Sequence, residues 1–214
     1  MTDAVEHRPL REIVAERIRE MIISGVFMPG ERLIEGHIAE LLEVSRNPVR
    51  EAIRSLEATG LIEVIPRKGA HVSRVDIEEV RQIQELRSFI EPHAAELAAK
   101  RRSDDNIARL TECIEKGLAA TKSGDKVGAA TWHRDFHIAL EEAAQNPYIA
   151  RALEPLRQRT ELVFSVLQEE RGEITWKEHA AIRDAVAKGN ARQARDLLRE
   201  HIAVAVREFA LTEG

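Results

Sequence analysis

Four histidines in the later part of the chain have the residue type and spacing of a metal site. His133 and His137 are four residues apart, which places both on one face of a helix. That face also carries Leu140 and three alanines, so it is predicted to point inward. His179 and His201 each follow the apolar face of a later predicted helix. A hydrogen-bonded core histidine is the simpler reading for any one of them, but four on converging faces favour a shared divalent ion.

A second pattern with chemical meaning is a stripe of arginines on a short predicted helix. Arg46, Arg50 and Arg54 are four residues apart and share one face. Three apolar residues form another face, namely Val49, Ile53 and Leu56. A helix with one apolar face and one arginine face can pack on a small core and lie in a DNA major groove. A solvated surface helix is the alternative that this stripe alone leaves open.

The residues around the arginine helix define its ends. Ser45 or Asn47 is expected to cap its start, and Pro48 is tolerated in the first turn because no N–H is needed there. Gly60 is expected to end it. The preceding segment Glu43–Ser45 then forms the turn of a helix-turn-helix.

Periodicity predicts the elements that surround this helix. Two helices are predicted before it and two strands after it, over residues 10–24, 34–42, 61–65 and 70–74. The two strands would form a hairpin with Arg67, Lys68 and Gly69 at its tip. A hairpin with basic residues at the tip is a wing that can reach phosphates or the minor groove.

Four segments of this region resemble the winged-helix domain of GntR-family transcriptional regulators. They are Val26–Leu33, Val44–Ile53, Gly60–Leu61 and Lys68–Val72. The resemblance implies a homodimer that binds double-stranded operator DNA, as a short inverted repeat. The implied DNA-binding residues are Ser45, Arg46, Asn47, Arg50, Arg54, Arg67, Lys68 and Gly69. Gly36 is a departure, because several family members carry a DNA-contacting arginine there, so that contact is expected to be missing.

Charge and composition agree with a local DNA contact in a soluble protein. The net charge of the 214 residues is −5, yet residues 45–74 hold six basic and three acidic side chains. Positive charge is therefore concentrated on the arginine helix and the wing, as in a sequence-specific binder. The chain has neither an apolar run near the ~18 residues of a membrane span nor a secretory signal. With Cys113 as its one cysteine, it is predicted to be cytoplasmic.

The remainder of the chain is predicted to be entirely helical. The fold class is mainly α, with a winged helix-turn-helix domain at 1–75 and an antiparallel all-α bundle of about six helices at 76–214. Pro92 should kink or break the first bundle helix, Pro155 should interrupt the fourth, and Gly172 should separate the fourth from the fifth. The predicted helices cover residues 76–101, 103–122, 125–145, 147–170, 175–188 and 190–211.

This second region resembles the metal-binding FCD effector domain of the FadR subfamily. The matching segments include Leu86–Arg87, Asp135–Leu140, Glu178–His179 and Leu198–Ile202. By resemblance, three histidines fall on ligand positions, namely His137, His179 and His201. The usual fourth ligand is an aspartate, and His133 stands at that position. An imidazole in place of a carboxylate favours Zn²⁺ or Ni²⁺ over Mn²⁺.

The resemblance also implies a small carboxylic acid as the effector. Arg87 lies on the first bundle helix and offers a planar fork to such an anion. Its alternative role is a salt bridge with Glu91, one turn further on. The implied function is a ligand-responsive regulator, most often a repressor in this family.

The sequence supports three other classes of protein less well. A metalloenzyme is disfavoured, because His133–His137 lacks the adjacent glutamate of His-Glu-x-x-His proteases and no nucleophile or carboxylate pair stands out. The main alternative to a metal-binding regulator is a DNA-binding regulator whose helical domain serves only for dimerisation. A regulator that binds fatty acyl-CoA is disfavoured, since that subtype needs no histidine cluster.

Overall fold

The computed structural model describes residues 8–74 and 76–212. The chain divides into two compact units, and the first of them ends at Arg74. The described part is mainly helical, with one small sheet in the first unit. This confirms the predicted fold class. Every described helix is either too short or too polar to serve as a membrane span.

The first unit has three helices and a three-stranded antiparallel sheet. The helices are α1 (Leu10–Ile23), α2 (Glu35–Leu41) and α3 (Arg46–Ala58), and the strands are β1 (Arg32–Leu33), β2 (Ile62–Ile65) and β3 (Gly69–Val72). The strand order is β1-β3-β2, with β2 and β3 forming the hairpin of the wing. Apolar side chains from all three helices meet the sheet in a buried core that includes Ile18, Ile38, Val49, Leu61 and Val72.

The predicted end of α3 is confirmed, but neither predicted capping side chain makes a capping hydrogen bond at its start. Ser45 holds the N-cap position in an extended conformation, but its side chain makes no capping hydrogen bond. Asn47 lies inside the helix and donates to Glu51 instead. Gly60 adopts φ +78°, the left-handed conformation that lets the chain leave a helix without strain.

The sheet differs from the sequence prediction in one element. β1 pairs with β3 through Arg32 opposite His71 and Leu33 opposite Ala70. A strand of two residues is too short to show a periodicity, so it could not be predicted from the sequence. β2 and β3 each lie within one or two residues of their predicted bounds.

The second unit contains six α-helices in its described part. They are α4 (Ile77–Arg101), α5 (Asp104–Ser123), α6 (Lys126–Ala143), α7 (Pro147–Leu153), α8 (Arg157–Ala187) and α9 (Ala191–Thr212). A 3-10 turn at Glu154–Leu156 joins α7 to α8 at the predicted interruption around Pro155. Side-chain caps begin four of the helices, and they come from Asp76, Ser103, Asp125 and Asn146.

Neither of the helix breaks predicted at Pro92 and Gly172 occurs. Pro92 was predicted to kink or break the first bundle helix, and it does not end α4, which continues as one helix of 25 residues. Gly172 does not separate two helices, because α8 runs through it for 31 residues. A β-carbon at Gly172 would lie 2.7 Å from the Cγ2 methyl of Thr121 on α5. The glycine therefore permits close packing between α8 and α5, although it lowers helix propensity by about 1 kcal/mol relative to alanine.

The core of the second unit is built from small and medium apolar side chains of α4, α5, α6, α8 and α9. Its fully buried members include Ala98, Leu110, Phe136, Ile182 and Leu198. Alanines on α4 and α6 allow these helices to approach closely. This packing fixes the inward faces of α6, α8 and α9, from which the four histidines project.

Candidate functional site

The four predicted histidines meet inside the second unit. His133 and His137 come from α6, His179 from α8 and His201 from α9. Each ring offers one nitrogen to a group in which all four atoms lie within 4.8 Å of one another. All four side chains are buried, from His179 at 0% exposure to His137 at 7%. This placement agrees with the sequence prediction that the four histidines converge.

The ring nitrogens face one another rather than solvent. His179 Nε2 lies 3.3 Å from His201 Nε2. Two nitrogens bound to one tetrahedral Zn²⁺ at 2.0–2.1 Å would lie about 3.3 Å apart, so this spacing fits such an ion. His137 Nε2 and His179 Nδ1 find no hydrogen-bond partner among the described residues. Buried imidazole nitrogens without partners cost free energy, and a cation between the rings would satisfy those that converge.

Carboxylates stand behind two of the four rings. His201 Nδ1 lies 2.7 Å from Glu178 Oε2 in a hydrogen bond. His137 Nδ1 lies 3.0 Å from Glu91 Oε2, a polar contact without hydrogen-bond alignment. A carboxylate behind a histidine orients the ring and leaves the other nitrogen free to bind a metal. Glu178 had not been predicted, and its position next to His179 in the sequence was the only signal for it.

Arginines hold these two carboxylates in turn. Arg171 forms an ion pair with Glu178, and Arg87 forms one with Glu91. Arg87 Nη2 donates to Glu91 Oε2 at 3.1 Å, and Arg87 Nη1 donates to Gln84 at 2.9 Å. Burial opposes ionisation of Glu91, but Arg87 and His137 outweigh it and hold the pKa of this carboxyl well below its usual range. The carboxylate behind His137 is therefore charged at neutral pH.

Burial favours the uncharged form of three of the histidines. It lowers the pKa of His133 and of His179 well below the usual value, and the neighbouring histidines add to the effect. The pKa of His137 is also lowered by burial, although the charge of Glu91 opposes this. A neutral imidazole keeps the lone pair that a metal ion needs. The site thus has the convergence and the outer carboxylates of a divalent metal site, and burial favours the neutral form of the imidazoles of His133, His137 and His179.

A small cavity lies against the histidine cluster, and about 20 Å³ of it is accessible to the centre of a water-sized sphere. Its wall includes two of the histidines, three arginines and three glutamates, namely His133, His137, Arg87, Arg134, Arg157, Glu91, Glu141 and Glu161. A second cavity shares Arg87 and His133 with the first and reaches His201 and Arg171. Arg87 therefore forms the predicted ion pair with Glu91 and also lines both cavities, while its role in binding an effector stays a prediction.

The predicted DNA-binding residues form an exposed surface of the first unit. Seven of the eight are exposed and Gly69 is half-buried; the seven are Ser45, Arg46, Asn47, Arg50, Arg54, Arg67 and Lys68. Arg67 and Lys68 form the tip of the β2–β3 hairpin, where Arg67 has φ +67° and Lys68 N donates to Ile65 O at 3.0 Å. Two basic side chains therefore extend from the wing.

The surface of α3 is arranged by two residues near the start of α2. Arg50 makes a bidentate ion pair with Glu35, and Arg50 Nη2 lies 2.8 Å from Glu35 Oε2. The guanidinium of Arg46 lies over Gly36, so that a β-carbon there would be 3.3 Å from Arg46 Nη2. Arg46 thus fills space that a side chain at position 36 would use. Glu35 was not identified from the sequence, because a partner 15 residues away leaves no local signal.

Comparison with known proteins identifies both units. The model of the bacterial regulatory proteins of the gntR family matches residues 10–72, and the FCD domain model matches residues 82–204. The winged helix and these matches define a DNA-binding transcriptional regulator rather than an enzyme. The chain belongs to the GntR family, with an FCD domain as its second unit.

Individual relatives agree over most of the chain. The transcriptional regulator LutR of Bacillus subtilis is 28% identical over 206 residues, which cover 85% of this chain and 93% of LutR. The Glc operon transcriptional activator of Escherichia coli is 26% identical over 226 residues, which cover 92% of this chain and 87% of that protein. The solved structure of E. coli McbR/YncC superimposes with a TM-score of 0.81 at 23% identity, over 97% of this chain and 100% of that one, which shows a shared fold.

Proposed function

We propose that this regulator binds one divalent metal ion per chain through His133, His137, His179 and His201. The observation that carries the proposal is the convergence of four buried imidazoles within 4.8 Å, two of them with carboxylates behind them. An all-histidine set favours Zn²⁺ or Ni²⁺ over Mn²⁺, because nitrogen ligands suit borderline ions and carboxylates suit hard ones.

The proposed effector is a small organic acid that binds in the cavity beside the histidines. When bound, the metal would supply a positive centre, and an ion that accepts more than four ligands would leave a position for a carboxylate. Arg134 and Arg157 line the same cavity as Arg87 and provide donors for the anion. The glutamates of the cavity balance these charges, so a ligand that also carries hydroxyl groups fits better than a bare anion.

On the DNA side, we propose that a homodimer binds a short inverted repeat with one α3 helix in each half-site. Arg46 and Arg50 read base edges, most readily guanine O6 and N7. Arg67 and Lys68 contact phosphates and fix the register of the wing. The remaining contacts come from Ser45, Asn47, Arg54 and Gly69.

The effector acts by changing which dimer arrangement is populated. To do so it must bind one arrangement more tightly than the other, since equal affinity would shift nothing. We propose that the protein is a cytoplasmic repressor that leaves its operator when the acid binds.

A thermal-shift screen of organic acids on metal-loaded protein tests this function. We expect at least one hydroxy acid or dicarboxylic acid to raise the melting temperature, and a chelator to abolish the effect. The same acid should weaken binding to a duplex that the protein selects from a randomised pool. A hit that survives chelation unchanged, or that leaves DNA affinity unaltered, contradicts the proposal. Arg134→Ala should weaken the hit, while Arg192→Ala on the exposed surface of α9 is the matched control.

A further inference from the structure

Glu35 and Arg50 form a bidentate ion pair on the predicted DNA-binding surface. Arg50 Nε lies 3.1 Å from Glu35 Oε1 and 3.2 Å from Oε2, and Nη2 lies 2.8 Å from Oε2. The carboxylate sits in the first turn of α2, and the arginine sits in the second turn of α3. The pair thus ties the arginine of the recognition helix to the helix that precedes it.

The geometry uses only one edge of the guanidinium group. A guanidinium has five N–H donors, and Glu35 accepts from the Nε edge. The end edge, formed by Nη1–H and the second Nη2–H, donates to no described residue. Two parallel donors on that edge match the O6 and N7 acceptors of a guanine. Among the described residues, the side chain of Arg50 makes no other hydrogen bond, and it is 52% exposed.

The surroundings keep Glu35 charged and in place. Its hydrogen bond to Arg50, and then the charges of Arg50, Arg46 and Arg54, lower the pKa of the Glu35 carboxyl. The N-terminus of α2 adds a favourable dipole for an acid in the first turn. An anion so close to the DNA-binding face would repel phosphates, so its presence calls for a compensating role.

We propose that Glu35 is a positioning residue that determines sequence specificity by holding Arg50 with its end edge free for a guanine. A free arginine has about 2 kcal/mol of rotamer entropy to lose on binding, and a held arginine loses less. The held geometry also favours a bidentate base contact over a loose phosphate contact, which is a gain in discrimination rather than in affinity. The proposal rests on the role of Arg50 as a base reader.

The test compares Glu35→Gln with a matched control on the same unit. Glu20→Gln removes the same charge from a side chain of similar exposure, 32% against 34%, which pairs with Arg17 within α1. The probe is a duplex that the wild-type protein selects from a randomised pool, together with variants in which each base pair is changed in turn. Binding is titrated at one fixed salt concentration.

We expect Glu20→Gln to change the affinity for all duplexes by one common factor. In Glu35→Gln, the ratio of the affinity for guanine to the affinity for the other bases at one position per half-site should fall at least about fivefold. Its binding to non-specific DNA should be unchanged or tighter. Glu35→Gln combined with Arg50→Ala should show no further loss beyond Arg50→Ala alone, because the two residues act as one unit.

Two other outcomes overturn the proposal in distinguishable ways. If Arg50→Ala leaves the base preference unchanged, Arg50 is not a base reader and the proposed DNA role fails. If Arg50→Ala relaxes the preference but Glu35→Gln tightens all duplexes equally, Arg50 reads the base without help and Glu35 only competes with DNA. Circular dichroism of each variant checks that the unit remains folded.

Discussion

The hydrogen bond between His201 and Glu178 joins the histidine cluster to a charged network. Glu178 Oε2 lies 2.7 Å from His201 Nδ1, while the opposite nitrogen of the ring faces His179. The carboxylate therefore places the proton on Nδ1 and leaves the lone pair on Nε2. Burial opposes ionisation of Glu178, but His201 and Arg171 outweigh it and lower the pKa of its carboxyl.

Removal of this carboxylate should weaken metal binding without removing a ligand. We expect Glu178→Gln to lower the metal affinity by about 10–100-fold, the usual effect of losing an outer carboxylate. Competition with a chromophoric chelator measures the affinity. Glu112→Gln on the exposed face of α5 is the control and should leave it unchanged. An unchanged affinity in Glu178→Gln would separate this carboxylate from the metal site.

Substitutions in the wing should act on all DNA sequences alike. Arg67→Ala or Lys68→Ala is expected to weaken specific and non-specific duplexes by similar factors, because a phosphate contact carries no sequence information. Each should also reduce the slope of log affinity against log salt by about 0.9. Lys116→Ala in the second unit serves as the control for charge alone. A change in base preference without a change in slope would refute the assignment of the wing to phosphates.

The stability of the second unit should carry a pH signature from Glu141. Burial raises the pKa of this carboxyl to about 7, although Arg157 donates to it at 2.6 Å. The folded pKa lies above the unfolded value, so the folded state binds the proton more tightly between these two pKa values. The stabilisation is therefore complete below the unfolded pKa and is lost as pH rises through about 7.

The quantity to follow is the free energy of unfolding of wild type minus that of Glu141→Gln. We expect this difference to be about 2–3 kcal/mol smaller at pH 8 than at pH 5. Urea titrations with a chelator present would measure it without the pH dependence of metal binding. The histidines titrate in both wild type and Glu141→Gln, so their contribution cancels in the difference between the two free energies of unfolding. A constant difference across this range would show that Glu141 has the same pKa in the folded and unfolded chains.

Close packing beside the histidines gives a further prediction. A β-carbon at Gly117 would lie 2.1 Å from the Cη2 atom of Trp176, whose ring centroid is 5.4 Å from that of His179. Gly117→Ala should therefore destabilise the protein by about 1–3 kcal/mol despite the better helix propensity of alanine. Gly36→Ala, which meets only the flexible end of Arg46, is the control. Chemical denaturation that shows Gly117→Ala to be as stable as wild type would rule out this packing constraint.

Local sequence signals were sufficient for most element boundaries. Asp76 was expected to cap the first bundle helix, and it accepts from Glu79 N at 2.7 Å. Gly60 was expected to end α3, and it has the left-handed φ that this requires. Such signals lie within a few residues of the structure that they determine, so they can be read without knowledge of the fold.

Features that depend on tertiary contacts could not be predicted from local sequence signals. Gly172 looked like a helix break because its packing partner, Thr121, lies on another helix. The convergence of four histidines was predictable from their inward faces, but the carboxylates behind them were not. Glu91 was noted only as a partner of Arg87, and its contact with His137 joins α4 to α6 across the core.

The metal content of the purified protein tests the central claim most directly. We expect untagged protein to contain about one divalent ion per chain by elemental analysis, with zinc or nickel preferred over manganese in competition. His179→Ala should lose most of the ion, because its ring lies at the centre of the buried cluster. His93→Ala, an exposed histidine on α4, is the matched control and should retain it. Wild-type protein without metal, or full occupancy in His179→Ala, would contradict the proposed site.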